Sequence, residues 1–446
     1  MGNFSSIFPD FQVMLGYTYR FLFTYYGWVV FVFGIMYMLW RSYLMEIQHQ
    51  YVHTNKFIFF QIKVPKDNMV STLAVETIFA QLHSLHVGKT FTEKFVEGHV
   101  QLWYSLEIIS MGGKVSFIVQ LPERMRHVVE SAIYAHYPQA EITEVNDYME
   151  NFTYDPEDKD GPYEIFGTEW KLNDSEVIPI KTYKDFEHPA AEETIIDPLA
   201  NFFEGLSKMD PHEFFAVQIL ISPRADDEWK PLGEAKIKEL IGEEAHHEAS
   251  LKNFVMAPVD KFAKFSYRET LFGGGHAHGA TTENKPKNNW MNMTEGEKER
   301  VSLIEKKIGK PGYKTKIRFL YIAPKEKFDP TKKSILTGAY RPLGSVMTNK
   351  IRPDVANTWT SVDYVFSKTL EKPYLEWLLN YKKRNVFKGF KDRDTHIGLP
   401  MFILNIEELA TLYHFPITTK TSTVPSNIER TESKKSQPPV NLPVLE

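Results

Sequence analysis

ISMGGKVSFIVQLPERMRHVVESAIYAHYPQAEITEV, residues 109–145, is the stretch that decides the fold. Val115, Phe117, Val119 and Leu121 alternate with their neighbours at period two, the signature of a strand with one face on a core. Gly112-Gly113 suits a tight hairpin turn, and Leu102, Tyr104, Leu106 and Ile108 alternate in the same way before it. Pro122 opens a helix whose Met125, Val128, Val129, Ala132 and Ile133 share one face, and Pro138 closes it ahead of the strand AEITEV. Upstream, FIFFQIKVP places Ile58, Phe60, Ile62 and Val64 on one strand face. Val75, Ile78, Phe79, Leu82 and Leu85 then recur at helical spacing after Asn68 or Ser71 as candidate caps. The order strand, helix, strand, strand, helix, strand over residues 50–150 predicts a ferredoxin-like βαββαβ domain, two helices over one face of an antiparallel sheet. That fold selects no function by itself.

A less regular copy of the pattern is expected over residues 165–326, which makes the chain α+β with tandem ferredoxin-like domains. EVIPIKTY is its expected first strand, Asp197-Pro198 caps a helix bearing Leu199, Phe202, Phe203 and Leu206, and FFAVQILI is a strand. An insertion at about 225–292 follows, with the charged helix KPLGEAKIKELIGEEAHHEA and the loop FGGGHAHGATTENKPKNN. Surface insertions of this kind cost little folding free energy. The helix EKERVSLIEKKI and the strand YKTKIRFLYIA complete what is legible; no fourth strand is. Residues 327–416 read as a mixed αβ region, and residues 417–446, rich in Thr, Ser, Pro and charge, as a disordered, linker-like tail.

After a short segment, residues 1–20, the run FLFTYYGWVVFVFGIMYMLW at 21–40 carries no charged side chain. About 20 apolar residues suffice to cross roughly 30 Å of hydrocarbon, so a transmembrane helix is expected over 21–41. Tyr25, Tyr26 and Trp28 at one end, with Tyr37 and Trp40 at the other, suit the headgroup level. The run is too long for the apolar part of a signal peptide and lacks small residues after it. Arg41, Lys56, Lys63 and Lys66 follow the run, whereas only Arg20 precedes it, so the positive-inside bias expects a single-pass protein of the inner (cytoplasmic) membrane with its C-terminal body in the cytoplasm. Membrane lipid is accordingly an expected partner.

A net charge of −5 argues against a generally basic nucleic-acid binder, and the absence of cysteine removes disulfides, thiolate metal sites and cysteine nucleophiles. Gly88-Lys89-Thr90 resembles the end of a phosphate-binding loop, but His83 stands where the first glycine is required and a helix precedes it where a strand should. Glu243, Glu244, His246, His247 and Glu248 lack HExxH spacing and read as a solvated helix face, and His276 and His278 as exposed loop residues, so no metal site is expected. Lys382, Lys383, Arg384, Lys388, Lys391 and Arg393, with Phe387 and Phe390 interleaved, form a local basic stretch that could hold phosphate backbone and stack bases, or contact anionic lipid. No catalytic constellation is present, so neither enzyme activity nor a cofactor is expected.

Several stretches together carry a resemblance: FQIKVPKDN, AVETIFAQLHSLH, the run ISMGGKVSFIVQLPERMRHVVESAIYAHYPQAEITEVNDY, DPLANFFEGLSKM, QILISPRADDEWK, ELATLYHFP and ERTESKKSQPPVNLP. This pattern, over roughly residues 50–446, resembles the amino-terminal region of membrane-anchored conjugation-type ATPases, the TraC- and TraD/TraG-like, type IV secretion-associated proteins of candidate-phyla bacteria. In that family the last stretch leads into an FtsK/HerA-like motor, whereas this sequence stops at Glu446. The resemblance therefore implies a non-enzymatic, membrane-anchored component of a DNA or protein transfer system that recruits a separate motor ATPase, with a homo-oligomer as a further expectation. A stand-alone membrane-tethered protein that binds nucleic acid or envelope partners is the alternative.

Overall fold

A computed structural model describes residues 16, 19–20, 28–65, 68–86, 88–152, 162–186, 196–241, 293–354, 378, 381–384, 401–418 and 427–431. After helix α1 (Trp28–Thr54), the strands are β1 (Phe57–Lys63), β2 (Tyr104–Met111), β3 (Lys114–Pro122), β4 (Glu141–Val145), β5 (Tyr163–Leu172), β6 (Phe214–Arg224), β7 (Gly312–Pro324), β8 (Ile351–Pro353) and β9 (Phe402–Asn405). Between them lie α2 (Thr72–His83), α3 (Phe91–Phe95), α4 (Arg126–His136), α5 (Ala200–Ser207), α6 (Asp226–Ile241), α7 (Glu295–Ile308) and α8 (Ser334–Tyr340), and α9 (Ile406–Leu412) follows.

All nine strands form one sheet in the order β4-β1-β3-β2-β6-β7-β5-β8, with β9 also on β7. Every pairing between these described strands is antiparallel, while the isolated bridges of Val64 to Arg430 and Val115 to Ile428 are parallel. The first four strands and α2 and α4 make one βαββαβ unit. The next four, with α5 after the first strand and α8 after the third, repeat it in mirror-image order across the sheet. The two units meet at their second strands, where β2 pairs with β6 from Tyr104 opposite Ile221 to Met111 opposite Phe214. This corrects the expectation of tandem ferredoxin-like domains, because the halves share one sheet and one core.

That core lies on the helical face. Phe60, Val75, Phe79, Val115, Phe117 and Leu121 fill it in the first half, and Phe202, Phe203, Phe215, Ile219 and Phe319 in the second. Helix α9 packs across α2, and α8 across α5, so one apolar layer is continuous under both halves. In the β2–β3 turn, Gly112 and Gly113 hold φ of 59° and 82°, the left-handed region that glycine enters without penalty. A Cβ on Gly113 would stand 2.8 Å from the Ser207 carbonyl oxygen, so the turn is also pressed against the end of α5.

Three expectations fail for identifiable reasons. EVIPIKTY is no strand: Pro179 offers no N–H to a ladder, and the Ile180 and Tyr183 amides donate instead to Glu408 Oε1 and Thr411 Oγ1, both at 2.9 Å. The first strand of the second half is β5, whose YEIFGTEWKL carries the polar Thr168 and Glu169 inward and so hides its alternation. The fourth, β8, spans only three residues, too few for a period to show.

The tail expected to be disordered over 417–446 contributes to the body at residues 427–431. Ile428 is buried, the Val115 amide donates to the Asn427 carbonyl at 3.0 Å, the Glu429 amide donates to the Val115 carbonyl at 2.9 Å, and the Ser116 hydroxyl donates to Glu429 Oε2 at 2.7 Å.

The expected transmembrane helix is also corrected. Among the described residues no helix is long and apolar enough to cross a membrane. Helix α1 is apolar from Trp28 to Trp40, about 20 Å at 1.5 Å per residue, and then continues without a break into the polar RSYLMEIQHQYVHT. Residues 21–27 of the expected span lie outside the described residues.

Candidate functional site

The sheet's second face carries charge. Side chains alternate along each strand, so Glu107 of β2, Gln218 of β6, Arg318 of β7 and Glu169 of β5 stand in one row, each directly opposite the next in register. All four are almost fully buried. Gln218 Nε2 donates to Glu107 Oε1 at 3.1 Å, Arg318 Nη1 donates to Gln218 Oε1 at 3.2 Å, and Arg318 Nε donates to Glu169 Oε1 at 3.0 Å. Lys316 adds a second cation 3.6 Å from Glu169.

Arg384 closes the row at the first half. It adopts φ 48° and lies over the rings of Phe59 and Tyr148 at 4.5 and 5.1 Å. Its Nε and Nη2 donate to Glu107 at 2.8 and 3.2 Å, its Nη1 and Nη2 to Asp147 at 2.6 and 2.9 Å, and its Nη1 again to the Lys382 carbonyl at 2.8 Å. Guanidinium has five N–H donors, and these five bonds use them all. Burial works against the charge on Glu107, but Arg384 outweighs it and holds the carboxyl below the usual range. Burial pushes the neighbouring Tyr148 phenol well up, so it stays protonated and meets Tyr381 Oη at 3.1 Å.

A second cluster lies on the helical side. Lys310 joins Glu76 of α2 to Glu407 of α9, and Lys184 pairs with the same two carboxylates at 3.6 and 2.9 Å. Burial lowers the Lys310 pKa, but its bonds to Glu407 and Glu76 outweigh that and push it up to about 12. Nearby, Lys307 and Glu408 are both fully buried, 3.0 Å apart, and Glu408 also accepts the Ile180 and Asn405 amides. In both clusters opposite charges meet, fully buried in the row and at Lys307–Glu408 and half-exposed at Lys184, which leaves these groups engaged with one another. Among the described residues, no group of three or more His, Asp or Glu side chains is placed to hold a metal ion.

The basic stretch expected to touch nucleic acid or lipid is divided by the structure. Lys382 and Lys383 are exposed, whereas Arg384 is buried with every donor occupied. That corrects its assignment to phosphate contact, because no N–H remains for a phosphate oxygen. Phe387, Lys388, Phe390, Lys391 and Arg393 lie outside the described residues, as do Glu243, Glu244, His246, His247, Glu248, His276 and His278.

The feature that does face outward is α1. Phe31, Phe33, Ile35, Met36, Met38 and Leu39 are each between 57 and 65 % exposed and at 100° per residue cover most of the helix circumference, with Tyr37, 46 % exposed, in the remaining arc. Sequence reading found this apolar run but missed the buried row. Its signal was a charged or amide side chain in the interior of each of four largely apolar strands: Glu107 in YSLEIISM, Gln218 in FFAVQILI, Arg318 in KIRFLYIA and Glu169 in EIFGTEW.

The sequence profile of a domain of unknown function, DUF8128, matches residues 45–424, which take in the whole sheet and both charge clusters. The chain belongs to the DUF8128 family. No curated protein matches it. The DUF8128 match opens at Met45, inside α1, so the apolar part of that helix precedes the shared domain and the polar part enters it.

Proposed function

We propose that the chain is a non-enzymatic component that attaches to a membrane by lipid contact through the apolar part of α1 and recruits a separate motor ATPase to the membrane. The observation that carries the membrane half is the exposure of Phe31, Phe33, Ile35, Met36, Met38 and Leu39, with Tyr37 in the arc they leave, around one helix. An apolar stripe would fit a groove; an all-round apolar surface fits a solvent of hydrocarbon. Transferring six such side chains is worth on the order of 10 kcal/mol gross, at roughly 1.5–3 kcal/mol each. The described apolar segment, about 20 Å long, is long enough to reach into the hydrocarbon of a bilayer.

The recruiting half rests on the resemblance to conjugation and type IV secretion-associated ATPases. It also rests on a body in which the buried charges described above each meet an opposite charge, as in a rigid scaffold. A cytoplasmic face of the inner membrane is the location this reading expects.

Flotation of the full chain with phospholipid vesicles tests the membrane half. The chain is expected to float, and Phe33→Asp combined with Met36→Asp to leave it at the bottom of the gradient. Equal flotation of both would overturn the reading. Co-purification of a P-loop ATPase with the chain from native membranes, absent from the double variant, tests the recruiting half.

A further inference from the structure

We propose that α3, on the body, is a second lipid-contact site that sits at the headgroup level of a phospholipid bilayer beside α1; this rests on the lipid reading of α1. Helix α3 has no buried residue at all. Isolated helices shorter than about 12 residues are marginal in water, so this five-residue one needs a local reason to exist. Part of it is the capping box: the Thr90 amide donates to Glu93 Oε2 at 2.8 Å, and the Glu93 amide returns a bond to Thr90 Oγ1 at 3.4 Å. The rest is aromatic. The Phe95 ring stacks on Trp40 of α1 with centroids 6.2 Å apart and planes 28° apart, and Phe91 lies 4.7 Å from Phe95. The Tyr43 ring centroid also stands 6.2 Å from that of Trp40.

Trp40 is the last residue of the apolar run and Arg41 the first charge after it, so this ring marks the level at which α1 passes from hydrocarbon to water. Contact with Trp40 sets Phe95 and Phe91 at that same level. There, Phe91 is 74 % and Val96 58 % exposed, an apolar edge that packing leaves uncovered. The Lys94 ammonium lies 5.2 Å above the Phe95 ring, and Arg41 follows Trp40 directly in the chain; both are exposed. Phosphate headgroups complement those cations, and the rings fit the zone between headgroup and acyl chain. The acids nearby are engaged locally, Glu93 in the cap and Glu97 with His99 at 3.2 Å.

The chain has no cysteine, so a single introduced thiol reports on a single place. Full-length protein carrying Phe91→Cys is spin-labelled, as is a control carrying Val346→Cys, where the native side chain is 82 % exposed. Collision rates with oxygen and with a water-soluble nickel complex are measured before and after adding vesicles of phosphatidylcholine and phosphatidylglycerol. The expected result is a several-fold loss of nickel access and a gain of oxygen access at position 91, with position 346 unchanged. If the protein floats with the vesicles and the label at 91 stays in water, α3 is no lipid site and the α1 reading stands alone. If it does not float, both fall. If position 91 loses access without vesicles while light scattering shows a doubled mass, the occupant is a second copy and the proposal is overturned.

Discussion

The two halves of the sheet repeat one plan but differ at one hairpin. Between its second and third strands the first half spends only Gly112 and Gly113, whereas the second half places residues 225–311 there, with α6 and α7 among them. In the first half the turn abuts Pro211 and Ser207, which leaves no room for more chain. In the second, the ends of the insertion have become core. Trp229 of α6 is fully buried, and its ring lies where a Cβ on Gly312 would stand, 2.6 Å away. Lys307 of α7 is fully buried on Glu408. An insertion that begins as a loop is thus retained where its two ends find apolar and ionic partners, and the turn opposite stays short because its neighbours already touch it.

The largest expected effect breaks the first half. Arg384→Met removes the cation shared by Glu107 and Asp147 and leaves a fully buried carboxylate without its partner, a change typically worth about 3–5 kcal/mol. Urea unfolding of the full chain checks it. Adding Glu107→Gln to Arg384→Met should recover part of the loss, because the orphaned charge is then gone. A loss below about 1 kcal/mol would mean that the buried row does not hold the segment around residue 384 in place.

The corresponding lesion in the second half is Lys307→Met. Glu408 keeps the Ile180 and Asn405 amides, at 2.9 Å each, as Glu107 keeps the Ser105 hydroxyl and the Gln218 side-chain amide, but Lys307→Met strands one carboxylate where Arg384→Met strands two, Glu107 and Asp147. The expected destabilisation is about 3 kcal/mol, at the lower end of the range for a broken buried pair. If Lys307→Met exceeded Arg384→Met, the insertion would be the more important anchor and the ranking of the halves would reverse.

How much of this was legible follows from what each element buries. Strands β1, β2 and β3 showed their alternation because Phe60, Leu106 and Phe117 face a helix-covered core while more polar neighbours face the other way. Strand β5 did not, since Thr168 and Glu169 are buried on opposite faces and erase the pattern. The charged row is invisible in any one strand, where a single Glu, Gln or Arg looks like an exposed position. Only the register lines up Glu107, Gln218 and Arg318. Arg384 was read as part of a surface because its neighbours Lys382 and Lys383 are basic, while its true partners lie 277 and 237 residues away. The apolar run of α1 was plain in the sequence, as was its polar end at Arg41; the helix is described from Trp28 onward.

A smaller effect joins the C-terminal segment to the second half. His414 Nδ1 donates to the Ala410 carbonyl at 2.9 Å, and its Nε2 lies 2.9 Å from Asp197 Oδ1. Burial opposes a charge on the imidazole, but Asp197 outweighs it and raises the pKa above the usual value. A raised folded-state pKa stabilises fully below the unfolded value near 6.5 and is lost as pH rises through the folded value. Chain stability measured by urea should thus fall across that window, by at most about 1.4 kcal/mol per pH unit from this group. His414→Gln should flatten the slope whatever it does to the absolute stability. An unchanged slope would assign the pH dependence elsewhere.

The smallest expected effect sharpens the comparison most. If the ends of the insertion hold it and its middle does not hold the sheet, replacing residues 242–292 by a flexible Gly/Ser linker of about ten residues should change stability by under about 1 kcal/mol, since loop closure varies only slowly with length. Helices α6 and α7 pack on each other, and Trp229 and Lys307 both survive the replacement. The same linker placed between Gly112 and Gly113 should be far more damaging, because it must displace Pro211 and the end of α5. Circular dichroism and urea unfolding of the two variants decide it. Collapse of the shortened chain would show that the middle of the insertion carries part of the core, and equal tolerance at both hairpins would show that the crowding around Gly113 does not limit the turn.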